Sequence, residues 1–400
     1  MSQDFSRRSL FRGALGIGAG MLASRVPFAK SAFAESTAQK HALVVVFLEG
    51  GPSPFLFDTT NLNGVLGVAA GNTTDLGNGL KIDKGVADTL SAYAKTKVAA
   101  VGVDSKTAAH SVGRGIHFGY KTTQNPMLVL ASAMGGNAAI KCARIGNIDF
   151  DKAMEPRTPV GGVALESIED LQSLKSVLGG SGASGGADRL IAASALARSN
   201  VLSSSAFAKS PRSLARLSEG TAGAIETLKK PVVSLDYAQA AQAYGVNAAT
   251  SSIAGLPAQL LAAEMLVRSG TNVVRVADPG WDNHPDKSGN GTRNEWNSRI
   301  KPALSTFLTR MLENPDVNVT VAVFGEFTRE ADSSHNNING ALVIGDRVKR
   351  GSTCRFTKDV KFATGAPGIN GLWAYLATLV NTPPSTISAL GGNPHAAITA

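Results

Sequence analysis

The chain has 400 residues, 43% of them hydrophobic and 17% charged. That supplies apolar side chains for one large core or two ordinary ones, and it carries too little charge for a disordered chain. The formal net charge is +9, but the basic residues are scattered, with no dense run and no interleaved aromatics, so no nucleic-acid-binding signature is present.

Residues 1–34 read as an export signal. Ser6-Arg7-Arg8-Ser9-Leu10-Phe11-Arg12 resembles the twin-arginine motif with Leu and Phe exchanged, residues 13–23 are modestly apolar, and Ala32-Phe33-Ala34 offers small residues to a signal peptidase. The competing reading is an amphipathic N-terminal helix. Removing 1–34 takes away five basic residues and one acid, a net +4, so +9 falls to +5. The apolar run is too short for a permanent anchor. No later segment has eighteen consecutive apolar residues, so a protein without a transmembrane anchor is expected. Its expected destination is the periplasm or the exterior, reached through the twin-arginine translocation machinery. Cys142 and Cys354 are the only cysteines; one disulfide and two buried thiols are equally open.

Residues 42–48 are a continuous apolar run, which predicts a strand buried on both faces. It ends in Glu49-Gly50-Gly51-Pro52-Ser53, where paired glycines allow a tight turn or close approach to a ligand. Ser53 reads as a turn hydroxyl or a nucleophile, and Asp58 follows. Residues 61–84 predict an irregular loop, 86–94 a short helix and 97–103 a second core strand. Beyond that strand lies a polar stretch with Thr107, His110, Ser111, Arg114 and His117, either the start of a functional loop or a solvated helix. A helix is expected over 124–135, and strands over 140–145 and 159–165. Residues 166–255 turn rich in Ala, Ser, Leu and Gly and predict a helical insertion or cap, with 179–186 as a flexible joint. An amphipathic helix over 256–269 leads to a strand at 272–277 and then to Asp278 through His284. Strand 319–324 runs into Gly325-Glu326-Phe327-Thr328-Arg329, and strand 341–344 is preceded by His335. A helix is expected over 371–380, and His395 in the tail reads as exposed.

Asp282 and His284, two apart in one loop, are able to converge on one ion, with Glu326 as a further oxygen ligand and His335 as a further imidazole. Zinc and manganese take this mixture; calcium and magnesium are weighed beside them. The same residues also make good turn composition. Ser111 is the first candidate nucleophile, ahead of Thr107 and Ser53. Arg329 is a candidate for gripping an anionic oxygen, or for a structural ion pair. In open α/β sheets ligands bind beyond strand carboxyl ends, which predicts that these polar tips meet at one rim.

The ordered set Leu48-Glu49-Gly50-Gly51-Pro52-Ser53, Gly280-Trp281-Asp282-Asn283-His284, Gly325 to Arg329, and His335-Asn336-Asn337 before residues 341–346 resembles the exported DUF1501 family. That family carries G-G-P-S, G-W-D-T-H, E-F-G-R-T and D-H-G in this order. It is grouped with the alkaline phosphatase and sulfatase superfamily. The resemblance implies an α/β alkaline phosphatase-like sandwich, a mostly parallel central sheet with helices on both faces. It implies Asp282 and His284 on one metal, Glu326 in place of a second-site acid, and His335 as the late histidine. The chain departs from the pattern where one Asp, Asp58, replaces two, where Ser334 stands for the Asp of D-H-G, and where Thr328 replaces Gly. Fewer carboxylates favour one metal or none over two. The expected function is an exported metal-dependent hydrolase of phosphate or sulfate esters. The rival is a non-catalytic binding or assembly protein. The expected ligand is a small anionic ester or a polysaccharide.

Overall fold

The computed structural model describes residues 40–120, 122, 124–136, 138, 140–146, 155–179, 235–314, 316–362 and 365–400. The expected signal segment 1–34 lies outside them, as do residues 180–234 of the expected insertion, with all but the first residue of its 179–186 joint.

Eight strands form one sheet: β1 (Lys40–Leu48), β4 (Val98–Asp104), β5 (Cys142–Ile145), β6 (Leu165–Ile168), β7 (Val273–Asp278), β8 (Val317–Gly325), β9 (Ile338–Gly345) and β10 (Gly351–Ser352). Their order is β10-β4-β9-β8-β1-β7-β5-β6, and β2 (Thr73–Gly77) with β3 (Leu80–Asp83) makes a separate antiparallel pair. In the large sheet only β9 runs against its neighbours, β4 and β8; every other pairing is parallel. The continuous apolar runs therefore mark mostly parallel, doubly covered strands, as expected. β9 has the same composition with the opposite direction, because burial on both faces is all that such a run specifies.

The period of two in β1 divides its side chains between two cores. Ala42, Val44, Val46 and Leu48 join helices Leu256–Arg268 and Lys301–Met311 on one face. Leu43, Val45 and Phe47 join helices Pro126–Ala133 and Ile369–Leu379 on the other. Each buried Leu, Val or Phe contributes about 1.5–3 kcal/mol. Local signals set the helix starts: Asn125 accepts a hydrogen bond from the Met127 nitrogen, and Pro126 takes the first helical position.

The expected helix over 86–94 divides into Lys84–Ala87 and Ala92–Thr96, because Asp83 and Ser91 each cap a separate start. The expected strand at 159–165 lies later, at β6. Of residues 166–255, the described parts hold β6 with helices Leu171–Gly179 and Tyr237–Ala243. Cys142 and Cys354 are buried free thiols. Among the described residues no helix is long and apolar enough to cross a membrane.

Candidate metal site

Register places the ends of β1, β7 and β8 together, since Leu48 pairs with both Asp278 and Gly325. The end of β4 aligns with the start of β9 through Asp104 and Ile338. The reversal of β9 thus delivers His335, which precedes a strand, to the same rim as residues that follow strands. Two glycines permit the crowding there. Gly50 and Gly51 have φ of +119° and +76°. A Cβ on Gly50 would lie 2.4 Å from the Asp282 nitrogen, and one on Gly51 would lie 2.5 Å from the Phe327 ring. Any side chain there would push the first loop off the two that carry Asp282 and Glu326.

At the centre, His110 Nε2 is 3.1 Å from His335 Nε2 and 3.3 Å from Asp282 Oδ2. His335 Nε2 is 3.6 Å from Asp282 Oδ1. Donors about 2.0–2.1 Å from one tetrahedral ion stand roughly 3.3 Å apart, so these three are spaced as ligands of a single cation. His110 Nδ1 lies 2.6 Å from Glu326 Oε2. A carboxylate only accepts, so Nδ1 holds the proton and Nε2 keeps the lone pair that ligates metals. Two imidazoles and one carboxylate suit zinc or manganese better than calcium or magnesium, which prefer oxygen. The residues fit a metal by spacing, tautomer and donor type.

Glu326, expected as a ligand, stands behind His110 instead. It is fully buried, and its second oxygen accepts from the Gly50 nitrogen at 3.1 Å and Arg114 Nε at 3.0 Å. His284 is beside the cluster but outside the converging three. Its Nε2 is 3.3 Å from Asp282 Oδ1, and its ring is 4.5 Å from that of His335. Arg329 is 2% exposed. Its Nε donates to the Gly51 carbonyl at 2.7 Å, and its Nη groups donate to the Gly50, Trp281 and Ser333 carbonyls and to Asp282 Oδ1. With every nitrogen committed, it clamps the loops after β1, β7 and β8, which is the structural one of its two readings. Ser111 is exposed on helix His110–Ile116, where the next residue is turned about 100° from His110. Ser53 is buried against Thr292, and the Thr107 hydroxyl accepts from the Ala109 nitrogen. Among the described residues, no Ser or Thr hydroxyl is hydrogen-bonded to His110, His284 or His335.

Burial pushes the Asp282 carboxyl up, but the hydrogen bond and charge of Arg329, with His110 and His284, hold it below its ordinary value. Burial, then the charges of Arg329, His110 and His284, push His335 below the usual imidazole range. Both shifts favour the ligating forms, carboxylate and neutral imidazole. Beneath the rim, fully buried His117 has its Nε2 3.1 Å from the Glu326 carbonyl, and burial lowers its pKa to about 4.

The sequence sets His110 and Arg114 on either side of the candidate nucleophile Ser111, with His110 near enough in kind to be tested against the metal set, and it gives Glu49 no role. The available signal was two histidines within eight positions after a strand, in a chain with six. The family model described as a protein of unknown function (DUF1501) matches residues 225–364. The match supports the DUF1501 family. It takes in Asp282, His284, Glu326, Arg329 and His335, while the DUF1501 match stops short of Glu49, His110 and Arg114. No curated protein and no solved structure matches the chain.

Proposed function

We propose that the protein is an exported metal-dependent hydrolase of phosphate or sulfate esters, built on an alkaline phosphatase-like sandwich. The observation that carries the reading is the convergence of His110 Nε2, His335 Nε2 and an Asp282 carboxylate oxygen, with Glu326 fixing the His110 tautomer. A mostly parallel sheet with helices on both faces, and motifs in the DUF1501 order, support the fold and the reaction class. The N-terminal motif supports export through the twin-arginine route.

His110, Asp282 and His335 would hold a divalent ion, which would supply Lewis acidity toward a phosphoryl or sulfuryl oxygen. Asp282 brings the negative charge that offsets the ion, and Glu326 keeps the His110 lone pair turned inward. Arg329 fixes the loops so that the donors need no reorganisation. Among the described residues no base is hydrogen-bonded to Ser111. That favours, as a second reading, a protein that binds an anionic ester or polysaccharide at the metal without cleaving it.

Metal content of the mature chain, residues 35–400, measured by mass spectrometry alongside hydrolysis of p-nitrophenyl phosphate and sulfate, tests this. One zinc or manganese per chain, with both metal and turnover lost in His110→Ala and Asp282→Ala, is the expected result. Metal without turnover would select the second reading. A chain that takes up neither ion would overturn both.

A further inference from the structure

Arg329 is buried, with its nitrogens on protein oxygens, and a second guanidinium stands at the same rim. Arg114 lies four residues after His110 on helix His110–Ile116, so the two share a face. Both are bound to one carboxylate: His110 Nδ1 on Glu326 Oε2, and Arg114 Nε on Glu326 Oε1. The same Nε is 2.9 Å from Glu49 Oε1. Two carboxylates therefore hold the inner edge of the guanidinium. Its two terminal nitrogens donate no hydrogen bond to any described residue, and the side chain is 41% exposed. This is an oriented fork with its outer edge open, beside three donors spaced for a cation.

We infer that Arg114 is the residue that recognises the substrate's oxyanion, through two parallel N–H donors from its terminal nitrogens. The inference rests on the hydrolase reading and names the group that selects phosphate or sulfate esters over neutral ones. The geometry suits tetrahedral oxyanions, whose paired oxygens match the guanidinium fork. The Nε contacts set the plane of the fork before the ligand arrives, so little side-chain freedom is lost on binding. Glu326 then has one role with two outputs: each oxygen orients one group, the ligating imidazole or the anion fork.

The test is calorimetric titration of inorganic phosphate into the mature chain and into Arg114→Gln and Arg114→Lys, with metal content and melting temperature measured on the same samples. Arg114→Gln is expected to weaken phosphate about 10- to 100-fold, the value of charged hydrogen bonds, with metal content unchanged. Arg114→Lys restores the charge beside Glu49 and Glu326 but not the fork, so it recovers melting temperature more than phosphate affinity. Phosphate affinity equal to wild type in folded Arg114→Gln, or no phosphate binding by wild type, would overturn the inference. If Arg114→Gln fails to fold, Arg114→Lys decides, and wild-type affinity in that variant rejects recognition by a fork. A wild-type chain that binds phosphate but no metal would remove the hydrolase reading and leave the Arg114 assignment standing on the titration.

Discussion

Glu264 and Glu326 are both fully buried carboxylates with cationic partners, in different regions of the same fold. Glu264, on helix Leu256–Arg268, accepts from Arg268 Nε at 2.9 Å, from Arg310 Nε and Nη2 at 2.8 Å each, and from the Tyr244 hydroxyl at 2.9 Å. Burial works against its ionised form, but Arg310, Tyr244 and Arg268 outweigh it and hold its pKa below the ordinary value. These contacts join three helices and end there. Glu326 accepts from Gly50, Arg114 and His110, and two of those partners present a second polar edge outward. One buried charge closes a network and serves stability. The other passes orientation through its partners to the rim. Burial and charge alone do not separate the two; what lies on the far side of each partner does.

Removing the carboxylates should split the two roles. Glu264→Ala leaves two guanidiniums unpaired, and the expected loss is about 3–5 kcal/mol in urea unfolding, while metal content of the folded fraction stays at wild type. Glu326→Gln is expected to lower metal affinity about 10- to 100-fold in chelator competition. An amide turned to His110 donates to Nδ1 and drives the proton to Nε2, the wrong tautomer for a ligand. Equal losses of stability and metal affinity in both variants would erase the contrast.

Acid tests the fold away from the rim. His117 and His395 have folded pKa values lowered by burial to about 4 from 6.5. Their stabilising effect is complete above pH 6.5 and is lost as pH falls toward 4. His395 lies away from the cluster and shares a 2.8 Å hydrogen bond between its Nδ1 and the Thr353 hydroxyl. Between pH 6.5 and 5, wild type is expected to lose about 2 kcal/mol more than His395→Asn. Equal pH slopes in denaturant titrations would show that His395 titrates normally. The smallest effect is expected from Ser111→Ala: stability within about 0.5 kcal/mol and unchanged metal content. Lost turnover with metal retained would restore Ser111 as the nucleophile.

Much of this was legible in the sequence. The runs at Val44–Phe47 and Val319–Phe324 announce doubly buried strands, and Gly280 to His284 and Glu326 to Arg329 announce polar tips at one rim. The rest depends on partners that a linear reading does not supply. His335 reaches the rim because β9 is reversed, which its composition leaves open. Arg329 is tied to Gly50 and Gly51, nearly three hundred residues earlier, so its roles as anion grip and as clamp look alike in the sequence. Glu326 has a ligand's chemistry, but the Gly50 nitrogen and Arg114 hold it a layer behind. His395 reads as a tail residue, yet the tail folds back and buries it against Tyr375 and Thr353.

The reversed β9 also governs timing. His110, Asp282 and His335 arrive from segments spread over more than half the chain, and the last is positioned only when β9 inserts between β4 and β8. Assemblies of such long sequence separation form late in folding. A growing chain still short of residue 335 has no complete set of donors, so an ion held by the trio would enter only late in synthesis or after it, in whichever compartment the polypeptide first becomes native.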